Sequence, residues 1–302
     1  MAPPDHKRMR LDTSCTSNTS RIQTNFTVKI LDNRAEKIIE LSNETYEPVD
    51  LASVASTYDI ENMVQQAYFQ DNTMAFKTIL STGGIILIIY PPGSGKTTMA
   101  LLLESYLSST IECSDKLTTF FQTCEFAKEC KSDYDEFYKS GSVAYINFEG
   151  IRGTDRVSFE KSLVEIMLTS FKKYFSADVV QDAAMLMNPP EDVYISMMQF
   201  VQYLRMVGEK KKTYLILDSC DTVYNTIAQL GAEAAIVCKQ FTEFLKSAVH
   251  TGSTDVMLIC FGVSPYFAYE FAGQATIYNV HKEANDLGKY FSYSEETRSM
   301  KL

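Results

Sequence analysis

The chain has 302 residues, 45% hydrophobic and 22% charged, with a formal charge of −10. That is material for one large domain or two small ones around a real core, and it excludes a wholly disordered chain. The acidic balance argues against nucleic acid or anionic lipid as the main partner, because phosphate repels such a surface.

Apolar runs such as Ile85–Tyr90 fall far short of the roughly 20 residues that cross a bilayer, and the opening segment holds no apolar signal-peptide core. A soluble intracellular protein with no membrane partner is expected, cytoplasmic or nuclear. The 7 Cys are scattered without a CxxC pair, which points to reduced thiols rather than a disulfide framework. Sequons at Asn18, Asn25 and Asn43 are then chance matches.

In chain order, residues 1–24 combine Pro3, Pro4, a Ser/Thr run from Thr13 to Ser20 and the basic cluster Lys7-Arg8-Met9-Arg10, and read as a disordered arm. The cluster fits a short nuclear-import signal or a solvated basic tail. Residues 25–57 form an N-terminal extension in which Phe26, Val28 and Ile30, then Ile38, Ile39 and Leu41, suggest a strand pair or an appended element.

From about residue 58 strand and helix alternate. Five short apolar runs, Ile85–Tyr90, Val143–Phe148, Thr213–Asp218, Val256–Gly262 and Ala275–Val280, have the character of strands buried on both faces. Helical faces lie between them: Phe159, Leu163, Ile166, Phe171 and Tyr174; Val193, Met197, Phe200, Val201 and Leu204; and one long helix with Ile227, Leu230, Val237, Phe241, Phe244 and Ala248. Cys124–Ser140 reads as an inserted helix. The alternation predicts a three-layer α/β domain with a parallel five-stranded sheet.

The most informative residues are Tyr90-Pro91-Pro92-Gly93-Ser94-Gly95-Lys96-Thr97-Thr98, between a strand and the helix former Met99–Leu107. Strand, glycine loop and helix are the setting of a P-loop. Glycines at 93 and 95 let backbone N–H groups close around phosphates without a Cβ in the way. Lys96 supplies a cation for the β and γ phosphates, Thr97 a hydroxyl for Mg²⁺, and the helix N-terminus its positive dipole end. Pro92, Ser94 and Thr98 complete the expected cradle. Tyr90 stands where the motif has its first glycine, at the loop entrance.

A second requirement is an acidic residue ending a buried strand, and Asp218 in Tyr214-Leu215-Ile216-Leu217-Asp218 has that form. Many hydrolysing P-loop proteins carry Glu next, to polarise water; Ser219 stands here and cannot do so at neutral pH. Asp221 and Glu149 are candidate substitutes, with solvated turn carboxylates the alternative. If the sheet follows the order 5-1-4-3-2, the fourth strand lies between the first and third, and Ser264 beyond its end is either a γ-phosphate sensor or a strand cap.

With these residues in place, the chain resembles the AAA-ATPase-like family, P-loop proteins often fused to a restriction-type nuclease, over about residues 58–297, leaving 298–302 as a tail. Tyr68-Phe69-Gln70-Asp71 through Gly83-Gly84 resembles the family's leading segment, and Tyr145-Ile146-Asn147-Phe148 with Ser158-Phe159-Glu160 its second strand and following helix. Leu215-Ile216-Leu217-Asp218-Ser219-Cys220-Asp221 sits where the family reads Leu-Ile-Asp-Glu-Tyr-Asp, matching at Asp218 and Asp221. Gly262-Val263-Ser264 and Tyr290-Phe291-Ser292-Tyr293-Ser294-Glu295-Glu296 resemble later signatures. The loop itself departs from the family's Arg-Phe-Gly-Lys-Ser; neither a nuclease part nor a full helical lid is expected beyond the last match, and turnover is expected to depend on a partner.

The 3 His are far apart and suit no zinc site. Arg152 and Arg156 are candidate fingers for a neighbour's nucleotide or ordinary surface residues. The expectation is a P-loop domain that binds ATP with Mg²⁺ and hydrolyses ATP to ADP and phosphate, coupled to a protein partner or a second copy. A non-hydrolysing nucleotide switch is the first alternative and a small-molecule kinase the second. Lys96, Asp218 and Asp221 are the expected catalytic residues, and Thr97 and Asp218 the metal residues.

Overall fold

A computed structural model describes residues 59–66, 69–174, 181, 193–194, 212–250, 256–263, 271 and 273–279. The basic arm, the N-terminal extension, Ser264 and the signature after Tyr290 lie outside them, as does all but Val193 of the second predicted helical face.

Among the described residues, α1 spans Ile60–Met63 and α2 Ala75–Thr82. Then follow β1 (Ile85–Ile89), α3 (Lys96–Leu107), α4 (Asp115–Thr123), α5 (Glu125–Glu129), α6 (Lys131–Phe137) and β2 (Gly141–Asn147). The chain continues with α7 (Arg156–Phe171), β3 (Lys212–Asp218), α8 (Cys220–Ala228), a 3₁₀ turn at Gly231–Glu233, α9 (Ala234–His250), β4 (Val256–Gly262) and β5 (Ala275–Asn279).

All five strands are parallel, in the order β2-β3-β4-β1-β5. This is the expected 5-1-4-3-2 order read from its other edge. Because side chains alternate across a strand, β1 supplies both helical layers. Ile85, Leu87 and Ile89 join Leu215, Leu217 and the apolar faces of α7, α8 and α9. Ile86 and Ile88, with Tyr90 beyond the strand end, join Ile216, α2, α3 and the aromatic residues of α4, α5 and α6. Burial on both faces is why these strands carry no polar alternation. Each buried isoleucine is worth about 1.5–3 kcal/mol of transfer free energy.

Two predicted helices are divided. α8 ends at Ala228, and a 3₁₀ turn opening at Gly231, at φ 62°, separates it from α9. Ile227, Leu230, Val237 and Phe241 all face one cluster, so the apolar period survives a break in the backbone. The inserted helix is broken at Cys130, whose φ of −133° and ψ of 50° are not helical. Tyr134 and Tyr138 still stack, with centroids 5.2 Å apart and planes at 14°. Tyr174 lies beyond the end of α7, and Glu149 lies past β2, which stops at Asn147.

Candidate functional site

The site forms where β1 and β3 end on the same side of the sheet, a position that parallel strands share by construction. β1 leads into the loop 90–95 and α3 starts at Lys96. Gly93 has φ 75° and Gly95, at the N-cap of α3, φ 86°, a left-handed conformation that side-chain-bearing residues reach only with strain. Nothing lies within 4 Å of where a Cβ would sit on either glycine, so the backbone angle rather than crowding demands them.

Among the described residues, the N–H groups of Gly93, Gly95, Lys96, Thr97 and Thr98 donate to no backbone carbonyl, whereas that of Ser94 donates to the Pro91 carbonyl at 3.4 Å. Free donors at a helix N-terminus, with the dipole behind them, fit an anion.

The Lys96 side chain is 9% exposed and folds back over the loop. Its Nζ donates to the carbonyls of Tyr90 and Pro91, both at 2.7 Å, and reaches Ser94 Oγ at 3.5 Å. Burial pushes its pKa below the ordinary lysine value, and the negative charges of Asp218 and Asp221 oppose that shift.

Asp218, at 2% exposure, closes the site from β3. The Thr97 hydroxyl stands toward its carboxylate and favours its charged form. Its Oδ1 accepts the Ser219 N–H at 2.9 Å and its Oδ2 the Tyr145 hydroxyl at 3.2 Å. Burial raises its pKa; the bonds from Thr97, Ser219 and Tyr145 and the charge of Lys96 hold the shift back. Tyr145 is driven far above the usual tyrosine value, first by burial and then by the charges of Asp218 and Glu104, so its phenol stays a donor.

Ser219 adopts φ 58° and ψ 38° at the N-cap of α8, a left-handed residue directly after the buried carboxylate. Asp221, in the first turn of α8, uses Oδ1 to accept the Val263 N–H at 3.0 Å, tying the exit of β3 to the exit of β4. Glu149 is exposed, its own N–H held by Asn147 Oδ1 at 2.9 Å. Arg156 pairs with Glu160 at 2.7 Å along α7, and Arg152 is exposed in the preceding loop.

Lys96, Thr97 and Asp218 thus lie together, with Asp221 beside them. Tyr145 was the residue that motif reading left without a role. The signal was its place in β2: Val143 and Tyr145 fall on the α3 face of the sheet. A cleft of about 350 Å³ runs from Thr97 and Asn147 along α3 to Glu104 and Lys173.

No family model matches the chain, and no curated protein matches it in sequence. Among solved structures the chain is similar to Cdc6p from Pyrobaculum aerophilum, at 12% identity and a TM-score of 0.35. That match covers 72% of this chain and 48% of the other, about half of its length. Among the described residues no helix is long and apolar enough to cross a membrane.

Proposed function

We propose that the chain binds ATP with Mg²⁺ at its P-loop and hydrolyses it slowly to ADP and phosphate, in concert with a protein partner or a second copy. The observation that carries this reading is the meeting of a lysine, a hydroxyl and a buried carboxylate: Lys96, Thr97 and Asp218 converge beside the amides of Gly93, Gly95 and Lys96, which meet no backbone carbonyl among the described residues. The resemblance to the AAA-ATPase-like family agrees with it.

In this reading the amides of Gly93, Gly95, Lys96, Thr97 and Thr98, with Pro92 and Ser94 shaping the loop, hold the phosphates, and the Lys96 ammonium exchanges two carbonyls for phosphate oxygens. Thr97 and Asp218 present oxygens suited to Mg²⁺, which when bound neutralises charge on the β and γ phosphates. Ser264, just past the described Val263, is assigned the sensor role. Proton acceptance falls to Asp221 or Glu149, since Ser219 has no basic group at neutral pH. One oxygen of Asp221 is already held by the Val263 N–H, which supports slow turnover without a partner.

The same observation favours a second reading, a nucleotide switch that binds without hydrolysis. Measuring nucleotide affinity and phosphate release for wild type and Lys96→Ala separates the two. The ATPase reading expects release that falls at least tenfold in Lys96→Ala. Tight binding with no Lys96-dependent release would leave the switch, and absence of nucleotide binding by the wild type would end both.

A further inference from the structure

Among the described residues β2 is an edge strand, paired with β3 and otherwise bridged only at Gly141 to Ser108. Edge strands leave outward N–H groups that a fold must cover. Tyr145 has such a group, and the Tyr174 hydroxyl accepts it at 3.0 Å. The same hydroxyl bonds the carboxylate of Glu104, which is 1% exposed and also receives the Lys173 ammonium on its two oxygens at 2.7 and 2.8 Å.

Glu104 lies on α3, seven residues after Thr97. At about 100° per residue that spacing places both on one helix face, two turns apart. Both line the same cleft with Tyr145. α3 therefore reaches Asp218 by two routes. One is the Thr97 hydroxyl itself; the other runs from Glu104 through Tyr174 to the backbone of Tyr145, whose phenol ends on Asp218 Oδ2.

We propose that Tyr145 is a positioning residue for the Asp218 carboxylate, held in register by Glu104 and Tyr174, so that Asp218 keeps its orientation when the Thr97 hydroxyl turns to a metal ion. This rests on the Mg²⁺-nucleotide reading. Thr97 can serve the carboxylate or a cation with its lone pairs and proton, and a carboxylate that depended on it alone would swing when the cation arrived. The Ser219 N–H holds Oδ1 and the Tyr145 hydroxyl holds Oδ2, so the carboxylate plane stays set. Partners of this kind commonly govern metal affinity by ten- to a hundredfold.

The test is binding of a fluorescent ATP analogue to the full chain, titrated with Mg²⁺ and repeated in EDTA. Tyr145→Phe keeps the ring and removes the hydroxyl. Its Mg²⁺ midpoint is expected to rise about tenfold, with binding in EDTA unchanged within about twofold, a split that general loosening of the fold would not produce. Tyr174→Phe is expected to move the midpoint the same way by about threefold, and it decides the matter if Tyr145→Phe is too unstable to measure. An unchanged Mg²⁺ midpoint in a folded Tyr145→Phe chain overturns the proposal and leaves the nucleotide reading intact. Failure of the wild type to bind nucleotide sinks both.

Discussion

Ser219 is the residue at which local cost and site geometry meet. A non-glycine residue at φ 58° carries steric strain of roughly 1 kcal/mol, yet this conformation aims its N–H at Asp218 Oδ1. Glycine relieves the strain and keeps the amide, while a β-branched side chain worsens the clash. Ser219→Gly should hold or gain a few tenths of a kcal/mol, and Ser219→Val should lose about 1–2 kcal/mol in denaturant unfolding. Equal stability of the two variants would show that the left-handed conformation is not maintained in solution. The same reasoning explains Gly95, where the motif and the backbone angle agree.

At the scale of elements, the placing of α7 depends on the loop before it. Its N-terminus is fixed by a capping box between Asp155 and Ser158, and those bonds lower the Asp155 pKa. Gly153 packs directly under the first turn: a Cβ there would lie 2.6 Å from the backbone N and Cα of Phe159, which is fully buried. Backbone atoms cannot yield as a side-chain tip can. Gly153→Ala is therefore expected to cost about 1–3 kcal/mol, read as a lower denaturation midpoint, and an unchanged midpoint would contradict this packing. The divided helices teach a related lesson. Apolar spacing reports which face is buried, so Ile227 and Phe241 are correctly placed on one face, but it does not show the turn at Gly231–Glu233 that divides the helix between them.

For the whole molecule, 18 Tyr and no Trp make tyrosinate absorbance a direct probe of the core. Burial raises the pKa values of Tyr106, Tyr214, Tyr174 and Tyr224 above the ordinary 10.0. A raised value in the folded state means that stability is complete below the unfolded value and is lost as pH climbs from about 10 toward the folded value. These buried phenols should ionise only above pH 10, in a cooperative step that coincides with loss of circular dichroism. One smooth titration with the fold intact would refute the buried assignment.

The amino-acid sequence by itself determined the glycine loop, the five apolar strands and the carboxylate that ends the third. Each is a local property: a backbone angle that only glycine takes freely, or a run of side chains that water rejects on both faces. The tertiary structure alone decided which groups those features meet. The Tyr145–Asp218 bond joins positions 73 apart and the Tyr174–Glu104 bond positions 70 apart. Pairings of that kind are chosen by the parallel crossovers that set β2 beside β3, and by the edge-strand N–H of β2, which required a partner from outside the sheet.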